Sequence, residues 1–259
     1  MPFLDLAGAR FHYRTDGPAA APVIMFSNSL GTNLAMWESQ LPSLTTHYRV
    51  LRYDARGHGE SAVTSGPYTI EQLARDALAL LDALEIERVN YCGLSMGGMV
   101  GQWLGANAPR RLGKLVLANT TAKIGSPETY NARIDTVRNG GMIAITDAVL
   151  ARWFTPAFLT ASPTAVARVR AMLDRTPPDG YIACCEAIRD MDQREIIGEI
   201  GVPTLVIAGT HDVPTPPTDG RFLADRINGA RYVELPAAHL SNIEAAPAFS
   251  SALMDFLNG

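Results

Sequence analysis

A serine enclosed by glycines is the residue in this sequence best suited to covalent chemistry. The stretch reads Gly93-Leu94-Ser95-Met96-Gly97, follows a short apolar run and opens a helical pattern without a gap. This strand, turn and helix setting is that of a nucleophile elbow, in which the turn leaves no room for a Cβ on either side of the serine. The pattern predicts that Ser95 Oγ stands at the carboxyl edge of a sheet, beside the positive end of the following helix.

A serine hydroxyl is a weak nucleophile unless a base accepts its proton and an acid orients that base. Two later residues have the required types and places. Asp212 follows the apolar run 204–208 and His239 follows the run 232–235, so each is expected in a loop at the carboxyl end of a strand. The order serine, acid, histidine is the one that a sheet of this kind imposes. Ser95, Asp212 and His239 are therefore the predicted catalytic residues.

An acyl-transfer site also needs hydrogen-bond donors for the oxyanion. The amide of Met96, directly after the serine, is one predicted donor. The second is expected in the loop after the apolar run 23–26, which reads Ser27-Asn28-Ser29-Leu30-Gly31-Thr32-Asn33, and the Leu30 amide is the predicted donor. A simple glycine turn would show similar residue types, so this alternative stays open.

Other histidines and carboxylates are weaker candidates. His211 adjoins the predicted acid, but neighbouring residues do not easily face each other. Asp54 follows a strand-like run yet precedes the serine, and we expect it to fix its own turn by accepting backbone hydrogen bonds. We expect His58, in the same turn, to be structural. His12 and His47 lie in or beside strand-like runs without a partner motif.

Elements that would position these residues are visible as alternating patterns. Short apolar, β-branched runs separated by helical patterns predict a parallel sheet covered on both faces by helices, an α/β fold. The clearest helix begins at Thr69, whose spacing to Gln72 is that of a capping box. The predicted strands span residues 23–26, 50–53, 89–92, 114–118, 204–208 and 232–235.

The alternation stops between residues 120 and 200. This segment has helical patterns but no convincing strand, with turn signals at Gly140-Gly141 and Pro177-Pro178-Asp179-Gly180,. We interpret residues 120–200 as a helical cap inserted into a core made of residues 1–119 and 201–259. The helical patterns span residues 130–137, 142–154, 163–173 and 181–191.

Length and composition limit the function classes. The chain has 259 residues with 47% hydrophobic and 19% charged residues, which suits one α/β domain with an insertion,. The formal net charge is −4, and no Lys/Arg run is present. Nucleic acid is therefore not an expected partner. No metal site is predicted, because no His/Asp/Glu cluster has ligand spacing.

Neither a secretory signal peptide nor a membrane-spanning helix is expected from the sequence. Charged residues within positions 1–16 exclude the apolar region of a signal peptide,, and no run of about 18 apolar residues predicts a membrane-spanning helix. The three cysteines, Cys92, Cys184 and Cys185, lack metal-ligand spacing and are interpreted as reduced thiols,. We expect a soluble cytoplasmic protein without a membrane partner. The sequence leaves the oligomeric state open.

With these motifs the chain resembles the α/β-hydrolase superfamily over nearly its whole length. Within the superfamily, the loop 28–32 with Met36-Trp37, and the segment Ala238-His239-Leu240-Ser241-Asn242-Ile243-Glu244, are similar to the 3-oxoadipate enol-lactonase family. Many superfamily members have His-Gly where this chain has Asn28-Ser29. The matching pieces are Asn28-Ser29-Leu30-Gly31, the turn 54–61, the elbow 93–98, Gly209-x-x-Asp212 and His239.

The resemblance implies a serine hydrolase that opens the ester of 3-oxoadipate enol-lactone to give 3-oxoadipate in aromatic compound catabolism, through an acyl-enzyme. The chemistry implied needs no metal or organic cofactor. A carboxylesterase, a carbon–carbon bond hydrolase and a perhydrolase use the same scaffold and are alternatives, as is a non-catalytic ligand receptor.

The small-molecule lactone that the resemblance implies carries a free carboxylate, which an apolar pocket would hold with a cation. The predicted cap offers Arg133, Arg138 and Arg152. We favour Arg133 as the substrate-binding cation and Trp153 as a wall of the pocket. We call residues 236–240, which carry His239, the histidine loop. Polar contacts of Asn242 and Glu244, which follow it, are expected to fix this loop.

Overall fold

An eight-stranded sheet forms the centre of the computed structural model, which describes residues 2–6 and 8–259. The strands are β1 (Phe3–Leu6), β2 (Ala9–Asp16), β3 (Val23–Ser27), β4 (Arg49–Tyr53), β5 (Val89–Leu94), β6 (Leu112–Ala118), β7 (Thr204–Gly209) and β8 (Arg231–Leu235). Their order in the sheet is β1-β2-β4-β3-β5-β6-β7-β8. Among the described residues, only β2 runs against its neighbours, and the pairs from β4 to β8 are parallel. This mostly parallel sheet confirms the predicted fold class.

Helices cover the sheet. Thr69 Oγ1 accepts a 3.0 Å hydrogen bond from the Gln72 amide and caps the second helix, which begins where the sequence predicts,. The helices are α1 (Leu41–Leu44), α2 (Ile70–Ala83), α3 (Met96–Asn107), α4 (Pro127–Gly140), α5 (Ile143–Trp153), α6 (Pro156–Ala161), α7 (Pro163–Arg175), α8 (Pro178–Asp190), α9 (Pro217–Arg226), α10 (Ser241–Glu244) and α11 (Ala246–Asn258), with 3-10 helices at Leu34–Gln40, Pro109–Arg111 and Ile197–Glu199.

The six predicted strands are all present, each within two residues of its predicted bounds. Five of them, β3 to β7, were recognisable because they lie in the sheet interior, where both faces are covered and the sequence becomes a continuous apolar run. Every residue of β7 is buried, for example. The hairpin of β1 and β2 was not predicted as strands, because its half-exposed residues dilute the hydrophobic pattern.

Five helices, α4 to α8, lie between β6 and β7. Four of them match the predicted helical patterns, and the fifth, α6, has only six residues and gave no periodic signal,. Within this segment α4 packs against α8, and α5 packs against α4 and α7. The division into a core and a cap of residues 120–200 stays a proposal, but the helical content of the segment is what that proposal requires.

Candidate active site

Ser95 occupies a sharp turn between β5 and α3. Its backbone has φ 57° and ψ −114°, in the left-handed half of backbone space, which costs a non-glycine residue about 1–3 kcal/mol,. The turn closes only with glycines around it. A Cβ on Gly93 would lie 2.0 Å from the Gly97 carbonyl oxygen, and one on Gly97 would lie 2.1 Å from that of Ser27. The local geometry is therefore that of the predicted elbow.

His239 and Asp212 form a buried pair at the same edge of the sheet. His239 Nδ1 lies 3.0 Å from Asp212 Oδ1 and 2.9 Å from Oδ2, and both residues are buried. Because an ionised carboxylate only accepts hydrogen bonds, this contact places the imidazole proton on Nδ1 and leaves Nε2 as the acceptor. His239 and Ser95 line one cavity, so the structure brings together the three residues predicted to be catalytic.

Asp212 is held in a set of hydrogen bonds. The Thr215 amide donates to Oδ1 over 3.0 Å, and Thr215 Oγ1 donates to Oδ2 over 2.8 Å. Asn119 Nδ2 donates to Oδ2 over 2.9 Å. Burial by itself would raise the pKa of Asp212, but His239 and these donors outweigh it and hold the pKa below its ordinary value,. The carboxylate is therefore kept charged beside the imidazole.

Asn119 also connects the acid to the histidine loop. Besides Asp212, its Nδ2 donates to the Ala238 carbonyl over 3.3 Å, and its Oδ1 accepts from Ser241 Oγ over 2.5 Å. Asn119 and Thr215 were not predicted from the sequence. The signal for Asn119 was available, since it directly follows β6 at the edge of the sheet where Asp212 and His239 were sought.

The predicted oxyanion donors lie on two neighbouring segments: Leu30 in the loop after β3, where it lines the cavity with Ser95, and Met96 at the start of α3. Within the part of the chain that the structure describes, neither amide donates to a protein acceptor. The loop that carries Leu30 is fixed from both sides: the Asn28 carbonyl accepts from the Gly97 amide over 3.0 Å, and the Gly31 amide donates to His58 Nε2 over 2.8 Å. Two backbone amides that have no acceptor in the described residues are what an oxyanion hole requires.

A cavity of about 170 Å³ opens above these residues. The Trp153 ring stacks on the imidazole of His239, with a centroid separation of 6.1 Å and an interplanar angle of 29°. Further wall residues are Leu30, Met99, Tyr130, Arg133, Val149, Arg152 and Ile188. The small volume suits a small-molecule ligand, and the wall is divided about equally between apolar and polar surface,.

Two arginines supply the positive charge of the cavity. Arg133 and Arg152 both line it, and neither forms an ion pair with an Asp or Glu of the described residues. Burial lowers the pKa of Arg152, and the nearby charge of Arg133 lowers it further. Arg138, the third candidate, lies outside the cavity and pairs with Asp135 over 2.9 Å. Arg133 alone was favoured from the sequence, whereas in the structure Arg152 lines the same cavity.

A second histidine and carboxylate pair lies elsewhere in the core. His12 Nδ1 is 2.7 Å from Asp54 Oδ2, so His12 has a partner that the sequence analysis did not foresee. Asp54 also accepts from the Glu60 amide over 2.9 Å and the Leu34 amide over 2.7 Å. Asp54 thus fixes its own turn as expected and joins it to the helix that starts at Leu34. Neither member of this pair lines the cavity.

Three further observations concern the described residues as a set. None of their helices is long and apolar enough to cross a membrane. They contain no group of three or more His, Cys, Asp or Glu residues arranged to hold a metal ion. The three cysteines are free and buried, as expected of reduced thiols.

Fold and site together define an α/β hydrolase. The family model for the alpha/beta hydrolase fold matches residues 22–246, and the chain belongs to this family. It is 43% identical over 242 residues to 3-oxoadipate enol-lactonase 2 of Acinetobacter baylyi, covering 93% of this chain and 91% of the relative. It is 38% identical over 250 residues to 3-oxoadipate enol-lactonase 1 of the same organism, covering 96% and 94%.

A solved structure gives the same result. The enol-lactonase from Burkholderia xenovorans LB400 superposes with a TM-score of 0.98 at 50% identity, over 100% of both chains. The resemblance to enol-lactonases is thereby confirmed. The protein is an enzyme, a carboxylic ester hydrolase like these relatives.

Proposed function

We propose that the protein hydrolyses 3-oxoadipate enol-lactone to 3-oxoadipate. The observation that carries this proposal is a small cavity lined by Ser95, His239 and two arginines. Neither arginine pairs with a carboxylate of the described residues. A hydrolase of neutral esters has no need of half-buried guanidinium groups in its cavity, whereas this lactone bears a free carboxylate. The relatives named 3-oxoadipate enol-lactonases support the same substrate, and we propose that the reaction belongs to aromatic compound catabolism.

In the proposed mechanism Ser95 Oγ attacks the lactone carbonyl while His239 Nε2 accepts the hydroxyl proton. Asp212 holds the imidazole and stabilises its charged form. The amides of Leu30 and Met96 donate to the oxyanion of the tetrahedral intermediate, a contribution worth about 10²–10³ in rate for one donor.

Collapse of that intermediate breaks the ring ester bond and expels an enolate, which takes a proton from the imidazolium and tautomerises to the ketone. The acyl group stays on Ser95. His239 then takes a proton from water, the hydroxide adds to the acyl carbon, and Ser95 leaves with the proton returned. The sequence of bonds uses only protein groups and water.

The cap and its two arginines would select the substrate. We propose that residues 120–200 form a cap over the core, that Arg133 with Arg152 binds the free carboxylate, and that Trp153 forms a wall against the lactone ring. The three free, buried cysteines suit a reducing compartment,, and we propose that the enzyme works in the cytoplasm.

The test is a comparison of kcat/KM for 3-oxoadipate enol-lactone and for p-nitrophenyl acetate, a neutral ester. We expect a preference for the lactone of about 10² or more, because a charged hydrogen bond contributes about 1.5–3 kcal/mol and two arginines are available. A preference for the neutral ester would contradict the proposed substrate. Labelling by a serine-directed phosphonate tests the nucleophile: Ser95→Ala should abolish it, and persistence of the label would contradict the mechanism and favour a different nucleophile.

A further inference from the structure

The carboxylate of Glu244 joins the histidine loop to the helical segment that covers the cavity. Glu244 lies on α10, and its Oε2 accepts from the Ala238 amide over 2.9 Å. Its Oε1 accepts from the Thr155 amide over 3.2 Å and from Thr155 Oγ1. No Lys or Arg of the described residues pairs with Glu244. The half-buried charge is therefore held by donors from two separate parts of the chain.

The contact between these parts is continuous. Three consecutive loop residues each meet the stretch 153–155: Ala238 through Glu244, His239 through ring stacking on Trp153, and Leu240 through its amide, which donates to the Trp153 carbonyl over 3.2 Å. His239 thus lies between two hydrogen-bonded anchors and beneath an aromatic ring. From the other side, the core holds the same loop through Asp212, which contacts His239, and through Asn119, which donates to the Ala238 carbonyl.

We infer that Glu244 is a positioning residue for the catalytic histidine and that it acts by tying the histidine loop to the end of α5. Charge-assisted hydrogen bonds are about twice as strong as neutral ones, so one carboxylate shared by three donors fixes both segments. Loss of this bridge would let the loop and Trp153 move apart. A displacement of about 1 Å in a catalytic group can cost about 10²-fold in rate.

The sequence explains why this residue type is needed. Thr155 caps α6, and its Oγ1 already accepts from the Phe158 amide over 3.2 Å,. Its amide and its hydroxyl proton still need acceptors, and so does the amide of Ala238. A carboxylate has two oxygens and no proton, so it accepts from all three donors. A glutamine would present its amide NH2 group, itself a donor, to one of them.

This inference rests on the proposed roles of Ser95 and His239, and its test separates the two. The variants are Glu244→Ala, Thr155→Val, which removes the hydroxyl, and Thr155→Ser, which keeps it. Glu234→Gln is the matched control, because Glu234 also accepts from two partners, but these are Arg221 and Tyr232 rather than residues of the histidine loop or of the stretch 153–155. Each variant is measured for thermal unfolding, for kcat and KM on the lactone, and for the rate of phosphonate labelling at Ser95.

We expect Glu244→Ala to lower kcat and the labelling rate by about 10- to 100-fold, with KM within about threefold, because the base is displaced and the arginines are not. For Thr155→Val, kcat and the labelling rate should fall by about three- to tenfold. For Thr155→Ser, both should stay within about twofold of the wild-type values. The double variant Glu244→Ala/Thr155→Val should be no slower than Glu244→Ala alone, since both changes break one bridge.

Wild-type labelling by folded Glu244→Ala would overturn the inference, as would equal losses in Glu234→Gln or full additivity in the double variant. If Glu244→Ala does not fold, the pair Thr155→Val and Thr155→Ser decides, and equal rates for that pair would overturn the inference. If wild-type enzyme is labelled at Ser95 but leaves the lactone intact, the proposed substrate is wrong, and the labelling rates still test Glu244.

Discussion

Asn119 donates a hydrogen bond to the same oxygen of Asp212 that lies 2.9 Å from His239 Nδ1. The asparagine amide therefore supports the acid without carrying a charge. Replacing Asn119 by Asp would set two carboxylates within hydrogen-bond distance and raise the pKa of the pair, because two such groups cannot both ionise freely.

We expect Asn119→Asp to lower kcat at pH 7 by about tenfold or more. The acidic limb of the pH–rate profile should move to higher pH. Asn107→Asp is the control, since Asn107 lies exposed at the end of α3 and donates only to a carbonyl of its own helix. An unchanged profile for Asn119→Asp would show that Asn119 has no electrostatic role at the site.

The two cavity arginines predict a change in KM that depends on substrate charge. Arg152→Gln and Arg133→Gln should each raise KM for the lactone by about tenfold or more, because a charged hydrogen bond to the carboxylate is worth about 1.5–3 kcal/mol. KM for p-nitrophenyl acetate should change by less than about twofold. Arg138→Gln, whose side chain lies outside the cavity, is the control. Equal effects on the charged and neutral esters would contradict carboxylate binding.

His58 predicts how stability depends on pH. Burial lowers the pKa of His58 to about 4, whereas an unfolded histidine titrates near 6.5. Between these values the unfolded chain binds a proton that the folded protein resists, so the free energy of unfolding falls as the pH drops from about 6.5 toward 4. The loss from this group is up to about 3 kcal/mol.

The variant His58→Gln removes this titration while leaving an oxygen that can accept from the Gly31 amide. Urea unfolding at several pH values between 4 and 7 should show a shallower slope for His58→Gln than for wild type. An identical slope would mean that His58 does not titrate in this range. At pH 7 we expect the variant to be less stable, because the packed ring is lost.

The elbow predicts a difference between two glycines. In Gly97→Ala the new Cβ would meet the Ser27 carbonyl oxygen at 2.1 Å, so the strand or the helix must move. We expect a loss of about 2–4 kcal/mol in the free energy of unfolding, measured with urea. Gly201→Ala is the control, because no atom lies within 4 Å of a Cβ placed there. Equal stability of the two variants would contradict the close packing of the elbow.

The parts of the fold that were predictable are those with a local signal. The strand before Ser95 is a continuous apolar run, and Thr69 marks the start of α2 by its own side chain. Ser95, Asp212 and His239 were found by reasoning about strand ends, and the structure places all three at one edge of the sheet. Their catalytic roles stay predictions that the kinetic experiments address.

The remaining features depend on packing between distant segments. Nothing in the sequence near His12 indicates Asp54, and nothing near Glu244 indicates Thr155. Arg133 lies on α4 and Arg152 lies on α5. Helical periodicity does not specify how these two helices pack, so it does not predict that both arginines line one cavity. Sequence patterns predict which elements exist, whereas such contacts arise only when the elements assemble.

The short helix α10, which follows the histidine loop, is also hydrogen-bonded to residues 36–40. Gln40 Nε2 donates to the Asn242 carbonyl over 2.7 Å, and Asn242 Nδ2 donates to the Met36 carbonyl over 2.9 Å, links that span more than 200 residues. During translation, Ser95 and its elbow emerge long before residues 239–244 are made. Under the proposed mechanism, a growing chain would have no hydrolase activity until β8 and the histidine loop dock on the sheet, so the onset of hydrolysis would report that docking.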